Sequence, residues 1–146
     1  MVTYVRTHNL KEIKMNIKEI QDQINKLQES LDTFKGQLSF DWDNAPTIAE
    51  INGSRWILGP EAPEELNWND AVAWCKAVGG ELPTRDILLY CYMDEEIRDL
   101  FTATYYWSST EFTATFAWLQ SFSSGLQSST NKTATNYVRA VRRLDI

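Results

Sequence analysis

The segment YYWSSTEFTATFAWLQSFSSG (residues 105–125) is rich in aromatic residues, yet serine, threonine and alanine separate them and Glu111 is its only charged residue. Runs of β-forming residues predict strands at 105–109 and 115–122, and YVRAVRR predicts another at 137–143. A buried core would place aliphatic residues between the aromatics, and a solvated loop would place charges and glycine there. The segment therefore indicates strands that display aromatic and hydroxyl side chains on a surface.

The residues before this segment predict two helices and a hairpin. Residues 48–58 contain an Asn-Gly turn between two apolar runs, which is typical of a β-hairpin. Residues 67–80 predict a helix that ends at two glycines, and 82–101 predict a second helical region, with Asp94 as its expected break. Together with the strands, these elements predict an α+β head over residues 39–146, in which two helices pack against a mostly antiparallel sheet.

Residues 10–38 carry apolar residues at strictly alternating spacings of three and four. This narrow heptad seam predicts a coiled coil, and isoleucine at both seam positions, with Leu at a followed by Ile at d, favours three or four strands over two. We therefore predict a parallel homotrimeric stalk, with an antiparallel helical arm inside one chain as the alternative. The predicted oligomerisation residues are Leu10, Ile13, Ile17, Ile20, Ile24, Leu27, Leu31, Phe34 and Leu38.

Residues 1–9 precede the heptads and mix polar and apolar types. Val2 and Tyr4 alternate as in a strand, which would need a partner to pair with. We interpret residues 1–9 as a tail that docks on another protein, with a frayed terminus as the alternative. The predicted organisation is thus a docking tail (1–9), an oligomerisation stalk (10–38) and a head (39–146).

Composition excludes several classes of partner. The net charge is −6 over 146 residues, which argues against nucleic acid and anionic lipid. No segment predicts membrane insertion, and the N-terminus lacks the apolar region of a signal peptide.

Cys75 and Cys91 lie in predicted helices. Reduced buried thiols are expected, with a single disulfide bridge between the helices as the alternative.

Catalytic and metal-binding signals are weak. The single histidine, His8, lies outside the predicted head, so no Ser-His-Asp or Cys-His arrangement can form there. The sequence Trp68-Asn69-Asp70 matches the tripeptide of calcium-dependent lectins, but it opens a predicted helix, where a cap and a first-turn acid explain it. We expect a protein without enzymatic activity, cofactor or metal.

Four motifs occur in an order typical of one family: W-x-D-A-x-x-W-C at 68–75, LPTRD at 82–86, YWSSTE at 106–111 and YVRAVR at 137–142. In this order they resemble the C-type-lectin-like domains of an uncharacterised bacterial and phage surface family, whose members are often targets of diversity-generating retroelements. The resemblance covers residues 67–144. It implies a scaffold that includes the Trp of WSS and the VRAVR strand, and variable positions between them that contact ligands.

Aromatic residues with small hydroxyls suit such a binding face, because they combine a large contact area with adaptable hydrogen bonds. One departure is Gln120, where the family usually has an aliphatic residue, and it leaves open which face of the 117–122 strand is buried. The expected ligand-binding residues are Glu111, Phe112, Thr113, Thr115, Phe116, Trp118, Leu119, Ser121, Ser123, Leu126, Ser128 and Thr130.

A stalk that carries a lectin-like head is typical of an attachment fibre, in which repetition of a weak site raises its avidity. The sequence predicts a trimeric phage fibre or capsid decoration protein, located in the virion, whose residues 1–9 dock on a capsid or tail protein. Its head is expected to bind a glycan or protein of the host surface. The alternatives are a purely structural decoration protein without a ligand and a bacterial surface adhesin or assembly module.

Overall fold

A computed structural model describes the backbone of residues 2–146 and the side chains of residues 13, 14, 16–33 and 40–146. The chain divides into two compact units, Met1–Gly36 and Gln37–Ile146. The second unit contains both helices and antiparallel sheets, and the predicted α+β class is therefore confirmed.

The first unit belongs to a single helix, α1 (Val2–Ser39), which would be about 57 Å long at ~1.5 Å per residue. Helix was predicted for residues 10–38, and the prediction of a strand near Val2 is wrong because the helix already begins there. A continuous helix satisfies the backbone hydrogen bonds of these residues without a pairing partner. Docking through residues 1–9 stays a prediction, since their side chains lie outside the described residues.

Every described side chain of α1 is exposed, including the apolar seam. Leu27 is 69% exposed and Ile24, the most covered of the described seam residues, is still 41% exposed. The side chains of Leu10, Phe34 and Leu38 lie outside the described residues. A row of exposed isoleucine and leucine is unfavourable in water.

The helices of the second unit begin at side-chain caps. They are α2 (Trp68–Ala77), α3 (Arg85–Met93) and α4 (Glu95–Arg98), preceded by a short 3-10 turn at Trp42–Asn44. The Asn67 side chain accepts a hydrogen bond from the Asp70 amide at 2.9 Å, and Thr84 caps α3 in the same way. Asp94 caps α4 and separates it from α3, as the sequence predicted.

Six strands form two antiparallel sheets. They are β1 (Thr47–Ile51), β2 (Ser54–Glu61), β3 (Tyr105–Glu111), β4 (Phe116–Ser121), β5 (Gln127–Asn131) and β6 (Arg139–Asp145). One sheet has the order β1-β2-β6 and the other the order β3-β4-β5. The hairpin turn at Asn52-Gly53, where both residues have positive φ, confirms the predicted hairpin. Strand β5 was not predicted because its sequence, QSSTN, lacks aromatic and aliphatic residues.

Two apolar clusters fill the interior, one around Trp107 and the other around Tyr106 and Phe122. Trp107 is fully buried and its indole N–H donates to the Leu66 carbonyl at 2.8 Å, which confirms its predicted place in the core. Cys75 and Cys91 are buried free thiols in different clusters, so the alternative of a bridge between them is wrong. Burial raises the pKa of each thiol to about 12, which leaves little reactive thiolate at neutral pH.

Candidate ligand-binding surface

Strand β4 separates a buried face from an accessible one. Ala117 and Leu119 point into the core, whereas Phe116 and Trp118 alternate with them and lie on the opposite side of the sheet. Phe112, in the turn that leads into β4, packs edge-on against Trp118 with ring centroids 5.2 Å apart. We call Phe112, Phe116 and Trp118 the aromatic platform. Phe112 is 58% exposed and Phe116 is 37% exposed, so the platform is accessible to a ligand.

Arg85 fixes the position of Trp118. The guanidinium carbon lies 3.7 Å from the centroid of the indole ring, the geometry of a cation–π contact. Gln127 on β5 holds the guanidinium in turn, because its side-chain oxygen accepts hydrogen bonds from Arg85 Nε at 2.8 Å and from Nη2 at 2.6 Å. These contacts hold the tryptophan in one orientation.

The amide group of Gln127 continues this network into the core. Its nitrogen donates to the Arg85 carbonyl and to the side-chain oxygen of Gln120, both at 2.9 Å. Gln120 is completely buried and donates onward to the Ser121 carbonyl at 2.9 Å. A buried glutamine with its amide satisfied stabilises one arrangement of the site, since any displacement would leave polar atoms unpaired. Gln120 lies on the same face of β4 as Phe116 and Trp118 and thus supports the platform from the side.

The turn that carries Phe112 is also fixed. Lys132 on the far side of the turn forms an ion pair with Glu111 at 3.0 Å and donates to the Ala114 carbonyl at 2.9 Å. The Thr113 hydroxyl accepts a hydrogen bond from the Phe116 amide at 3.0 Å. The ammonium of Lys132 lies 4.3 Å from the ring centroid of Trp68. These contacts lower the entropy that the turn would lose on binding a ligand.

The surface offers flat apolar area beside polar groups rather than a reactive centre. Aromatic rings of this kind stack on the apolar face of a sugar ring or on another aromatic group. The hydroxyls of Thr113 and Thr115 and the carboxylate of Glu111 lie in the same turn and can donate or accept hydrogen bonds. The arrangement suits binding of a ligand through contact area and hydrogen bonds.

Most of the predicted ligand-binding residues are accessible, but two are not. Leu119 is 5% exposed and Ser121 is 1% exposed, so their assignment to the binding face is wrong. Leu119 points inward because the alternation of β4 places it beside Ala117 in the core. The Ser121 hydroxyl is used internally: it accepts hydrogen bonds from the amides of Ser123 and Ser124 at 3.3 and 3.2 Å.

The remaining predicted residues do not form one continuous patch. Glu111, Thr113 and Thr115 accompany the aromatic platform at the start of β4. Ser123 and Leu126 are exposed in the turn that follows β4, at the other end of the strand from Phe116. The strand is about 17 Å long, since Phe116 and Ser121 are separated by five steps of ~3.3 Å. Ser128 and Thr130 pair with Leu119 and Ala117, and therefore project from the sheet face opposite to the platform.

Sequence reasoning missed Arg85, Gln127 and Lys132 as parts of the site. Arg85 belongs to the LPTRD motif, so its place in that motif was the available signal. Gln127 and Lys132 gave no signal. Strand β5, which presents Gln127, was itself not predicted, and Lys132 follows its last residue.

Replacing Ser121 by alanine is expected to destabilise the second unit by about 1–2 kcal/mol, because several donors of the following turn would lose their acceptor. The matched change Ser128→Ala removes an exposed hydroxyl and should alter the free energy of unfolding by less than ~0.5 kcal/mol. Urea titrations of both variants measure the difference. Equal stability of the two variants would show that the Ser121 hydroxyl has no structural role.

Among the described residues, no group of three or more His, Cys, Asp or Glu side chains converges as a metal site. Asp70 lies in the first turn of α2 and the cap is Asn67, so Asn69 is not the cap. No helix among those residues is long and apolar enough to cross a membrane.

Comparison with known proteins gives no family assignment: no protein-family model matches the chain, and no curated protein matches it.

Proposed function

We propose that this protein is a non-enzymatic attachment protein of a phage virion, a fibre or capsid decoration protein. In this proposal α1 forms a parallel homotrimeric coiled coil, and the second unit is a lectin-like head. The head binds a glycan or protein of the host surface through the aromatic platform. Residues 1–9 dock on a capsid or tail protein. The phage assignment and the lectin-like fold rest on the motif resemblance described above.

The observation that carries the binding function is the fixed exposure of Trp118. A tryptophan that is left partly accessible and is held by Arg85, Gln127 and Phe112 keeps apolar area in contact with water. Such an arrangement is costly for a free protein and favourable once a ligand covers it. Prior fixation also favours binding, because few side chains need to be ordered when the ligand arrives.

The exposed seam of α1 supports the oligomeric part of the proposal. Each described seam residue presents its apolar side chain to water, and a second and third copy would bury these side chains together. Three platforms in one particle would make a weak site effective, since the second and third contacts with a cell surface become intramolecular. The seam and the platform therefore fit the same function.

A purely structural decoration protein is the second candidate, and one observation favours it. Leu119, Ser121 and Phe122 are buried, so the candidate surface is smaller than the sequence indicated. In that case the second unit would cap the stalk, and the aromatic platform would contact a virion protein rather than a host ligand.

Binding of the fluorescently labelled protein to a glycan array and to panels of bacterial cells tests the proposal. Trp118→Ala is expected to weaken the strongest interaction at least ~30-fold, the effect of losing a central aromatic contact of about 2 kcal/mol. Tyr105→Ala is the matched control, because Tyr105 is as exposed as Phe116 at 37% but lies on β3 outside the platform.

Both variants should keep the near-ultraviolet circular dichroism of a folded second unit. Retention of binding by Trp118→Ala would contradict the assignment of the platform. Absence of binding to every glycan and cell by the unmodified protein would favour the structural candidate.

A further inference from the structure

A cleft of about 590 Å³ lies between α3 and the sheet that contains β1, β2 and β6, and none of its lining residues belongs to the aromatic platform. Ile51 and Trp56 form part of the sheet wall. Leu89, Tyr90 and Met93 form the helix wall. Ligand pockets in proteins commonly have volumes of about 300–1,000 Å³ and mostly apolar walls, so the cleft has the dimensions of a small-molecule site.

Helix α3 is apolar on both of its sides. Ile87, Leu88 and Cys91 are buried against the rest of the unit. Tyr90 and Met93, on the outer side, are 47% and 71% exposed. A helix at the surface of a globular domain normally has a polar outer face, because exposed apolar area is unfavourable in water. The outer side of α3 is thus suited to contact an apolar group.

The sheet wall adds one available positive charge. Arg143 on β6 lies directly opposite Trp56 on β2, with its guanidinium carbon 5.9 Å from the indole centroid. Among the described residues, Arg143 takes part in no ion pair. Asp86 also lines the cleft, but it lies in the first turn of α3, where the helix dipole stabilises its negative charge. Arg143 is thus the lining residue that can pair with an anionic group, and the carboxylate of Asp86 lines the same cleft.

We propose that this cleft binds a small monoanion with an aromatic or branched apolar body. The body lies between the outer side of α3 and Trp56, and the anionic group pairs with the guanidinium of Arg143. An arginine above an aromatic ring is well placed for this, because it can form two parallel hydrogen bonds to a carboxylate. The site does not depend on the aromatic platform, and it would exist whether or not the protein attaches to a host.

Titration of the full-length protein with indole-3-acetate, followed by ¹H–¹⁵N NMR, tests the proposal. Indole-3-acetamide is the matched probe, since it has the same shape without the charge. Saturable shifts are expected in the amides of α3 and β2, with indole-3-acetate binding at least ~10-fold more tightly than the amide. Equal affinities, shifts confined to other elements, or no saturable shift at the solubility limit of the probe would each overturn it.

Two substitutions separate the charge from the apolar wall. Arg143→Gln should remove the preference for the acetate over the acetamide. Arg55→Gln is its control, because Arg55 is the neighbour of Trp56 in β2 and projects from the opposite face. Met93→Glu, at an exposed position where folding should be unaffected, should weaken both probes. An unchanged preference in Arg143→Gln would refute the role of the guanidinium.

Discussion

Replacing Ile20 and Ile24 together by asparagine is expected to reduce the mass of the protein in solution from three times 16.9 kDa to 16.9 kDa. Each isoleucine buried in a trimer would contribute about 1.5–3 kcal/mol, so the six side chains of two adjacent layers would contribute roughly 9–18 kcal/mol. Asparagine supplies none of this and adds amides that need partners. Sedimentation velocity or light scattering measures the mass.

The matched control is the double change Lys18→Asn and Asp22→Asn, which introduces the same residue on the outward side of the heptads. Its mass should stay that of the unmodified protein. All six tryptophans lie in the second unit, so tryptophan fluorescence reports on the folding of that unit alone. A monomeric unmodified protein, or an unchanged mass after the double isoleucine change, would contradict the trimeric stalk.

Trp107→Ala is expected to destabilise the second unit by about 3–5 kcal/mol, a large share of the ~5–15 kcal/mol that stabilises a typical domain. The indole is fully buried, and its removal leaves a cavity and takes from the Leu66 carbonyl one of its two donors, the other being the Asn136 amide. Thermal or urea unfolding, followed by tryptophan fluorescence, measures the loss.

The comparison variant is Trp118→Ala, in which the same residue type is removed from an accessible position on the neighbouring strand. It loses one cation–π contact and one aromatic pair, together about 1–2 kcal/mol. Trp107→Ala should thus lower mainly the free energy of unfolding, whereas Trp118→Ala should lower mainly the affinity for a ligand. A Trp107→Ala variant as stable as Trp118→Ala would mean that Trp107 does not anchor the core.

Local signals in the sequence were sufficient for most elements of the fold. The Asn-Gly turn and the break at Asp94 each act through neighbouring backbone atoms, so they could be identified without knowing what packs nearby. The heptad pattern likewise predicted helix over 10–38. Strand β5 escaped prediction because its pairing with β4, rather than its own residues, makes it a strand.

The candidate site was predicted only in part. The aromatic composition of residues 105–125 located the surface, but it could not assign each residue to a face. The departure at Gln120 obscured the alternation of β4, since a polar residue is buried there and its amide is satisfied by Gln127 from the next strand. Leu119 and Ser121 were therefore placed on the wrong side.

By itself, the sequence determined the helix with its apolar seam, the α+β class, the hairpin and the helices of the second unit, because these depend on residues close together in the chain. Only the tertiary structure decided which aromatic side chains are accessible, that Arg85 and Gln127 hold Trp118, and that α3 and Trp56 form a cleft beside Arg143. These features join residues tens of positions apart. They arise when strands pair and helices pack, and no local pattern in the chain specifies that pairing.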